Sequence, residues 1–228
     1  MFIAHRGLSG IETENTNSAF VAAANRSYWG IETDVHVCRD GSFVIIHDDN
    51  AKRVSGVDIN VESADYADLK DIRLKDTFDK KTRSDLAIPT LSEYIRICKK
   101  YEKTAVLELK NPIEKKDIKK IIGIIHKLGY SKNTIFISFE MDNLKAVKET
   151  DSTLKVQYLV NKWNDNLPQV LKDNGMDLDI KFTQLNKQRV KLLHQNGIKV
   201  NTWTVNTIED AKRLIGFGVD YITTNILE

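Results

Sequence analysis

Short runs of β-branched and apolar residues alternate with amphipathic segments along most of the chain, and this alternation limits the possible folds more than any other feature. A repeated strand–helix order is typical of a parallel sheet whose strands are joined by crossover helices. Nine segments have the composition of strands: residues 2–6, 31–37, 43–47, 105–110, 135–139, 155–160, 178–182, 199–205 and 219–224.

Nine strands are one more than a closed eight-stranded barrel requires, and the spacing identifies the surplus strand. About five residues separate segments 31–37 and 43–47, whereas a parallel crossover takes about a dozen residues or more. Segment 43–47 must therefore turn back as a hairpin arm. The other eight strands predict an α/β fold, the (β/α)8 TIM barrel, in which active sites lie at the C-terminal ends of the strands.

Residues 50–88 interrupt this rhythm after the second strand. The segment is polar, irregular and longer than most connections between a strand and a helix. We expect a small insertion that covers the barrel mouth, with an ordinary surface loop as the alternative. Because 228 residues is the length of one such barrel, residues 1–228 are predicted to form a single domain with this insertion.

The composition argues against several classes of partner. Lys and Arg number 34 and Asp and Glu number 32, a net charge of +2, so no nucleic-acid partner is expected. Cys38 and Cys98 have neither metal-site spacing nor a disulfide framework, which suits a reducing compartment. With no signal-peptide pattern and no run of ~20 apolar residues, we expect a cytoplasmic protein without a membrane span. The sequence does not indicate an oligomeric state.

Carboxylates interrupt two of the most apolar strands. In GIETDVHV, alternation places Glu32, Asp34 and His36 on one strand face. An ionised group buried without a partner costs several kcal/mol or more. Glu32 and Asp34 stand roughly 6–7 Å apart, twice the ~3.3 Å rise per residue, which one cation can bridge. Glu108 and Lys110 share a face of AVLELK in the same way.

Three carboxylates on neighbouring barrel strands would repel one another unless a cation neutralised them. Oxygen ligands favour Mg²⁺ or Ca²⁺ over zinc. The sequence therefore predicts a site for one divalent cation, Mg²⁺ or Ca²⁺, at Glu32, Asp34 and Glu108. The alternative is that the carboxylates pair with Lys or Arg side chains on adjacent strands.

Two histidines and an arginine end predicted strands. His5 and Arg6 end the first strand in AHRG, and His47 ends the third. Arg6 is suited to bind a phosphate or carboxylate, and the two histidines could supply a general acid and a general base. With a metal, this set predicts displacement at phosphorus. The remaining histidines are expected to be structural: His36, His126 and His194.

The motifs AHRG, ETENTNSAF, GIETDV, DGSFVIIHD, IPTLSEY, LELK, ISF and NTWTVN, in this order, resemble those of glycerophosphodiester phosphodiesterases. The resemblance extends from Ile3 to Thr224. It implies a metal-dependent (β/α)8 enzyme that hydrolyses a small-molecule glycerophosphodiester, such as glycerophosphocholine, to glycerol 3-phosphate and an alcohol.

The resemblance also implies roles for individual residues. The acid/base pair of the family is matched by His5 and His47. The metal ligands are matched by three carboxylates: Glu32, Asp34 and Glu108. The substrate- or phosphate-binding positions are matched by four side chains: Arg6, Lys110, Glu14 and Trp203. For the last of these, ordinary barrel packing is the alternative.

Two positions depart from the family pattern. Thr13 stands where proline is usual. The C-terminal Thr-Asp-x-Pro signature appears here as TTNILE, with Asn225 and Ile226. These changes bear on pocket geometry and substrate preference. Two other functions fit parts of the pattern: a lysophospholipase D or sphingomyelinase D-like phosphodiesterase, and a non-catalytic barrel that binds glycerophosphodiesters. A lipid substrate would need an apolar rim, whereas residues 50–88 are charged and lack Trp.

Overall fold

Eleven strands are present in the computed structural model, which describes all 228 residues. They are β1 (Phe2–Ala4), β2 (Gly30–Val37), β3 (Phe43–Ile45), β4 (Arg73–Lys75), β5 (Thr82–Ala87), β6 (Thr104–Leu109), β7 (Thr134–Ser138), β8 (Lys155–Val160), β9 (Asp177–Lys181), β10 (Val200–Trp203) and β11 (Tyr221–Thr224). Eight of these are parallel and follow chain order around a barrel, which closes where β1 pairs with both β2 and β11. The predicted (β/α)8 TIM barrel is confirmed.

The surplus strand is β3, as the spacing predicts. It pairs antiparallel with β2, and Val35 lies opposite Ile45. Asp40 caps the turn between them, since its side chain accepts a hydrogen bond from the Ser42 amide at 2.9 Å. The hairpin extends β2 and sends the following residues over the barrel mouth.

Nine α-helices accompany the strands. They are α1 (Asn17–Ala24), α2 (Lys52–Ser55), α3 (Tyr66–Leu69), α4 (Leu91–Lys100), α5 (Lys115–Lys127), α6 (Met141–Thr150), α7 (Leu167–Asn174), α8 (Lys187–Gln195) and α9 (Ile208–Phe217). The longest, α5, has 13 residues, and none has the length and hydropathy of a membrane span. A 41-residue apolar cluster joins the helices to the outer face of the barrel, to which Ile31 and Val35 contribute.

Inside the barrel lies a second, smaller apolar group, the apolar layer. Its six members are Ile3, Val106, Ile135, Ile137, Leu159 and Tyr221. Strand alternation explains the two groups: on β6 the side chains of Ala105 and Leu107 belong to the outer cluster, and Val106 between them points inward. Glu108 follows on the same inner face, so a charged side chain lies only two residues from Val106, which packs in the apolar layer.

The insertion has its own small hydrophobic core. Twelve buried residues, among them Leu69, Leu74 and Leu86, pack together between α2, α3 and the antiparallel hairpin β4–β5. It contacts the mouth of the barrel, where Thr13 Oγ1 donates to the Lys75 backbone oxygen at 2.9 Å. That residues 1–228 fold as one domain stays a prediction.

Candidate active site

Three buried carboxylates lie side by side on β2 and β6. The parallel register sets Asp34 beside Glu108, with Glu32 two residues earlier on β2. Their ligand atoms lie within 4.8 Å of one another, and the residues are 3%, 1% and 8% exposed for Glu32, Asp34 and Glu108. We call these three residues the charged layer. A group this compact can hold one cation.

Two cationic side chains contact the charged layer. Lys110 Nζ lies 2.9 Å from Glu108 Oε1 and 3.6 Å from Asp34 Oδ1. Arg6 Nε lies 3.6 Å from Asp34 Oδ2, and the Arg6 amide donates to Glu32 Oε2 at 2.8 Å. Two cations against three carboxylates leave one negative charge. The alternative of pairing with Lys and Arg therefore accounts for only part of the arrangement.

The two cations outweigh burial and repulsion at Asp34 but not at Glu32 or Glu108, as the direction of each pKa shift indicates. Burial raises the pKa of Glu32 well above its usual range, and the charges of Asp34 and Glu108 add to it. Burial raises the pKa of Glu108 to about 7, with the Asp34 charge as the next cause. Burial alone would also raise the pKa of Asp34, but Lys110 and Arg6 hold it below its ordinary value.

A divalent cation fits this donor set. Asp34 Oδ1 is buried and accepts no hydrogen bond, an exception among buried oxygens. Its other oxygen accepts from Asn15 Nδ2 at 2.8 Å, and Asn15 is in turn held by Thr33 Oγ1 at 2.7 Å. The carboxylate is therefore oriented with one oxygen free, and all three donors are the hard oxygens that Mg²⁺ and Ca²⁺ prefer.

The loop after β1 brings His5 and Arg6 to the same place. Arg6 has φ 55° and Gly7 has φ 75°, a left-handed turn that aims the Arg6 amide at Glu32. A Cβ at Gly7 would lie 2.7 Å from backbone and side-chain carbons of Ala19. Helix α1 therefore approaches Gly7 too closely for any side chain at this position.

Each of the two candidate catalytic histidines has a partner at Nδ1. His5 Nδ1 lies 2.7 Å from Asn225 Oδ1, and His47 Nδ1 lies 2.7 Å from Asp48 Oδ1. These acceptors favour the proton on Nδ1 and leave Nε2 as the unprotonated nitrogen. Burial lowers the pKa of His5 to about 4, helped by the Arg6 charge, and burial also lowers the pKa of His47.

An ionic chain from the insertion joins the two sides of the site. Arg53 of α2 lies 2.5 Å from Asp48 Oδ2 through Nε and 2.7 Å from Glu14 Oε1 through an amino group. Glu14 Oε1 also lies 2.9 Å from Arg6. Arg53 therefore links the partner of His47 to Arg6. Glu14, predicted to be a substrate- or phosphate-binding residue, sits between two arginines at the mouth.

One open pocket, whose space of about 450 Å³ includes open solvent, joins these groups. Seven of the nine predicted site residues line it: His5, Arg6, Glu32, His47, Glu108, Lys110 and Trp203. The other two contact residues of the lining. Asp34 contacts Arg6 and Lys110, and Glu14 contacts Arg6. Beyond the charged layer the lining includes four apolar residues, of which Ile137 lies directly beside Glu108 in the register of β6 and β7; the others are Phe139, Leu159 and Trp203.

Trp203 takes part in barrel packing and also lines the pocket, and its role in substrate binding stays a prediction. It packs against the apolar layer and meets Phe139 edge to face, with ring centroids 5.7 Å apart, and it also lines the pocket. None of the three histidines expected to be structural lines the pocket. His36, which is fully buried, supports the site from behind, with Nε2 3.3 Å from the backbone oxygen of His47.

Some residues of the site were not predicted from the sequence. Asn15, Asp48 and Arg53 lie in loops or short helices, where no periodicity singles out a polar residue. Asp179 is different, since it lies in the apolar strand LDIKF just as Glu108 lies in LELK. It is 1% exposed and lines the pocket, and burial raises its pKa well above the usual range, with the Glu108 charge adding to this. Asp179 interrupts an apolar strand just as Glu108 does, and the sequence therefore marks it in the same way.

This (β/α)8 barrel combines a carboxylate triad, two histidines and two cations around one pocket, and these are the features of a barrel phosphodiesterase. Residues 5–228 match the sequence model of the Glycerophosphoryl diester phosphodiesterase family. The chain belongs to this family and is therefore an enzyme of the phosphodiesterase class.

Relatives match over nearly their whole length. The chain is 29% identical over 232 residues to a glycerophosphodiester phosphodiesterase of Caldanaerobacter subterraneus, covering 99% of this chain and 93% of that protein. A phosphodiesterase of Oleispira antarctica, solved in complex with the product sn-glycerol-3-phosphate, superposes with a TM-score of 0.92 at 26% identity, over 99% and 92% of the two chains. A glycerophosphodiester phosphodiesterase of Thermotoga maritima gives 0.80 at 27%, over 98% and 93%.

Proposed function

We propose that this protein hydrolyses glycerophosphodiesters to sn-glycerol 3-phosphate and an alcohol, with one divalent cation, Mg²⁺ or Ca²⁺, at the charged layer. The observation that carries the proposal is the convergence of three buried carboxylates, two histidines and two cations on one pocket. The family supports the substrate class. The product found in the Oleispira antarctica enzyme supports the same reaction here.

The phosphodiester is expected to bind beside the charged layer. A cation held by Glu32, Asp34 and Glu108 would polarise the phosphoryl group and stabilise charge on its oxygens. Arg6 and Lys110, which already contact these carboxylates, are in reach to hold the phosphoryl oxygens as well. Their positive charges would stabilise the transition state, in which negative charge builds on those oxygens.

The two histidines divide the proton transfers. With its pKa near 4, His5 is neutral at pH 7, so we assign it the role of base, which takes the proton of the attacking hydroxyl. Burial lowers the pKa of His47 as well, but the charge of Asp34 and the carboxylate of Asp48 at Nδ1 oppose this lowering, so His47 is the more readily protonated of the two and we assign it the role of acid, which protonates the departing alkoxide. The attacking hydroxyl is water or the neighbouring hydroxyl of the glycerol, and the latter gives a cyclic phosphate first.

Turnover by metal-stripped protein tests the proposal. The purified protein is treated with EDTA, and release of glycerol 3-phosphate from glycerophosphocholine is measured with and without added Mg²⁺ or Ca²⁺. We expect turnover only with metal and almost none from the Asp34→Asn variant. Failure of both ions to support turnover would contradict the proposal. Lysophosphatidylcholine assayed in parallel distinguishes a lysophospholipase D, which would favour it over glycerophosphocholine.

A further inference from the structure

Apart from Arg6 Nε, which lies 3.6 Å from Asp34 Oδ2, two polar atoms of pocket-lining residues lack hydrogen-bond partners. Asp179 Oδ1 and Trp203 Nε1 are both buried, and both residues line the pocket. Buried polar groups are nearly always paired, and an unpaired one destabilises the folded protein unless a ligand satisfies it. One of the two is an indole donor and the other a carboxyl oxygen, so a ligand that satisfied both would need an acceptor and a polar hydrogen.

The structure holds the Asp179 carboxyl in place. Its Oδ2 accepts from Asn201 Nδ2 at 3.1 Å, because the parallel register places Asn201 directly beside it on β10. Asn201 is fixed in turn, since its oxygen accepts from the Thr202 amide at 2.8 Å and from Thr223 Oγ1 at 3.2 Å. Asp179 Oδ1 is therefore oriented in advance, with its rotation restrained by a neutral network.

Trp203 lies two residues further along the same strand as Asn201. The two unpaired atoms thus belong to one wall, built by β9 and β10. No lysine or arginine contacts Asp179, whereas Arg6 and Lys110 both lie against the charged layer. A phosphate is drawn to those cations, which leaves the wall of Asp179 and Trp203 for an uncharged part of the substrate.

The chemistry of this wall fits a polyol. Ile137, Leu159 and Phe139 offer apolar surface to carbon atoms, and the two unpaired atoms offer hydrogen bonds to hydroxyl groups. A quaternary ammonium group has no polar hydrogen on nitrogen and no acceptor, so choline nitrogen cannot satisfy either atom. Glycerol carries hydroxyl groups next to the phosphate and can satisfy both.

We propose that Asp179 and Trp203 form a hydroxyl-recognition subsite for the glycerol portion of the substrate. The proposal rests on the proposed function and adds the determinant of its specificity. Asp179 Oδ1 binds one glycerol hydroxyl, and Trp203 Nε1 donates to a hydroxyl oxygen. Both residues act by substrate recognition, and neither takes part in proton transfer at phosphorus.

Removing a hydroxyl from the ligand and its partner from the protein tests this subsite. Calorimetry measures binding of sn-glycerol 3-phosphate, propane-1,2-diol 1-phosphate, propane-1,3-diol 1-phosphate and methyl phosphate to Ca²⁺-loaded protein. The wild type should bind at least one diol phosphate about tenfold or more weakly than the glycerol compound, which is the loss of one hydrogen bond. Asp179→Leu should lose that discrimination while its affinity for methyl phosphate changes less than about threefold.

A second variant and a control keep the test decisive if Asp179→Leu folds poorly. Trp203→Phe keeps an aromatic ring beside Phe139 but removes the N–H donor together with one ring of the indole, so it should also reduce discrimination. Asp177→Leu, two residues earlier on β9, should leave it unchanged. Equal hydroxyl discrimination in the wild type and both subsite variants would overturn the subsite alone. Absence of binding to all four phosphates would overturn the proposed function as well.

Discussion

Two regions on the inner face of the barrel differ sharply although they share strands. Val106 of β6 is fully buried in the apolar layer, and Glu108, two residues later on the same face, is buried among other carboxylates. Burial of the Val106 side chain stabilises the folded protein, whereas burial of the Glu108 carboxylate destabilises it. The comparison indicates that the lower part of the barrel stabilises the fold, whereas the C-terminal ends of the strands carry a cost in stability that a bound cation would offset.

The largest expected effect tests whether the histidines at the rim serve chemistry. His5→Ala should lower turnover of glycerophosphocholine by about 10²- to 10⁴-fold, the range for loss of a general acid or base. Binding of Ca²⁺ should be retained, because His5 does not belong to the charged layer. His126→Ala, on the partly exposed surface of α5, is the control and should leave turnover unchanged. Equal losses in the two variants would contradict the assignment.

The next effect separates function from stability within the charged layer. Glu32→Gln should lower metal-supported turnover by about 10²- to 10³-fold, since one ligand and one charge are lost. The metal-free variant should unfold at a higher urea concentration than the metal-free wild type, because repulsion from Asp34 and Glu108 is removed. A variant that loses turnover and is also less stable without metal would show that Glu32 supports the fold.

The apolar layer should give the opposite result. Val106→Ala removes two buried methyl groups and should lower the free energy of unfolding by roughly 2 kcal/mol. Affinity for Ca²⁺ should change less than about threefold, as measured by calorimetry on folded protein. If this variant instead lost metal binding at unchanged stability, the division between the two layers would be wrong.

The smallest expected effect is a pH dependence at Glu108. Its pKa in the folded protein is about 7, above the ordinary 4.5, so the folded state binds more protons than the unfolded state between these values. The buried Glu108 carboxylate therefore does not destabilise the folded protein below about pH 4.5, and its destabilising effect is complete above about pH 7. Metal-free Glu108→Gln should gain stability relative to the wild type as pH rises from 5 to 8, in parallel urea titrations. A constant difference would contradict the raised pKa.

Much of the fold could be predicted because periodicity and spacing report on burial. All eight barrel strands lie within or beside predicted segments, and the short link before β3 predicted the hairpin. The hairpin β4–β5 was not predicted, since its exposed faces carry charged side chains such as Arg83 and Asp85, which pair with each other at the surface. The small core under that hairpin is formed by apolar residues too widely spaced in sequence to show a period.

The site was predictable where a polar residue interrupts an apolar strand, as Glu32, Asp34 and Glu108 do. Residues that orient others were not, because their partners are distant in sequence: Arg53 reaches Glu14, 39 positions away, and Asn225 reaches His5, 220 positions away. Asn225, a departure from the family pattern, still supplies the acceptor for the ring of His5. Only the fold shows such pairings.

Calorimetric titration of Ca²⁺ and Mg²⁺ into metal-stripped protein tests most directly whether the charged layer is a divalent-cation site. Titrations at pH 6 and pH 8, in buffers of different ionisation enthalpy, also count the protons released. Because the pKa of Glu108 is about 7, we predict one site whose occupation releases protons at pH 6 and fewer at pH 8, with binding lost in Glu32→Gln. Absence of binding, or equal binding by the wild type and Glu32→Gln without proton release, would contradict the account.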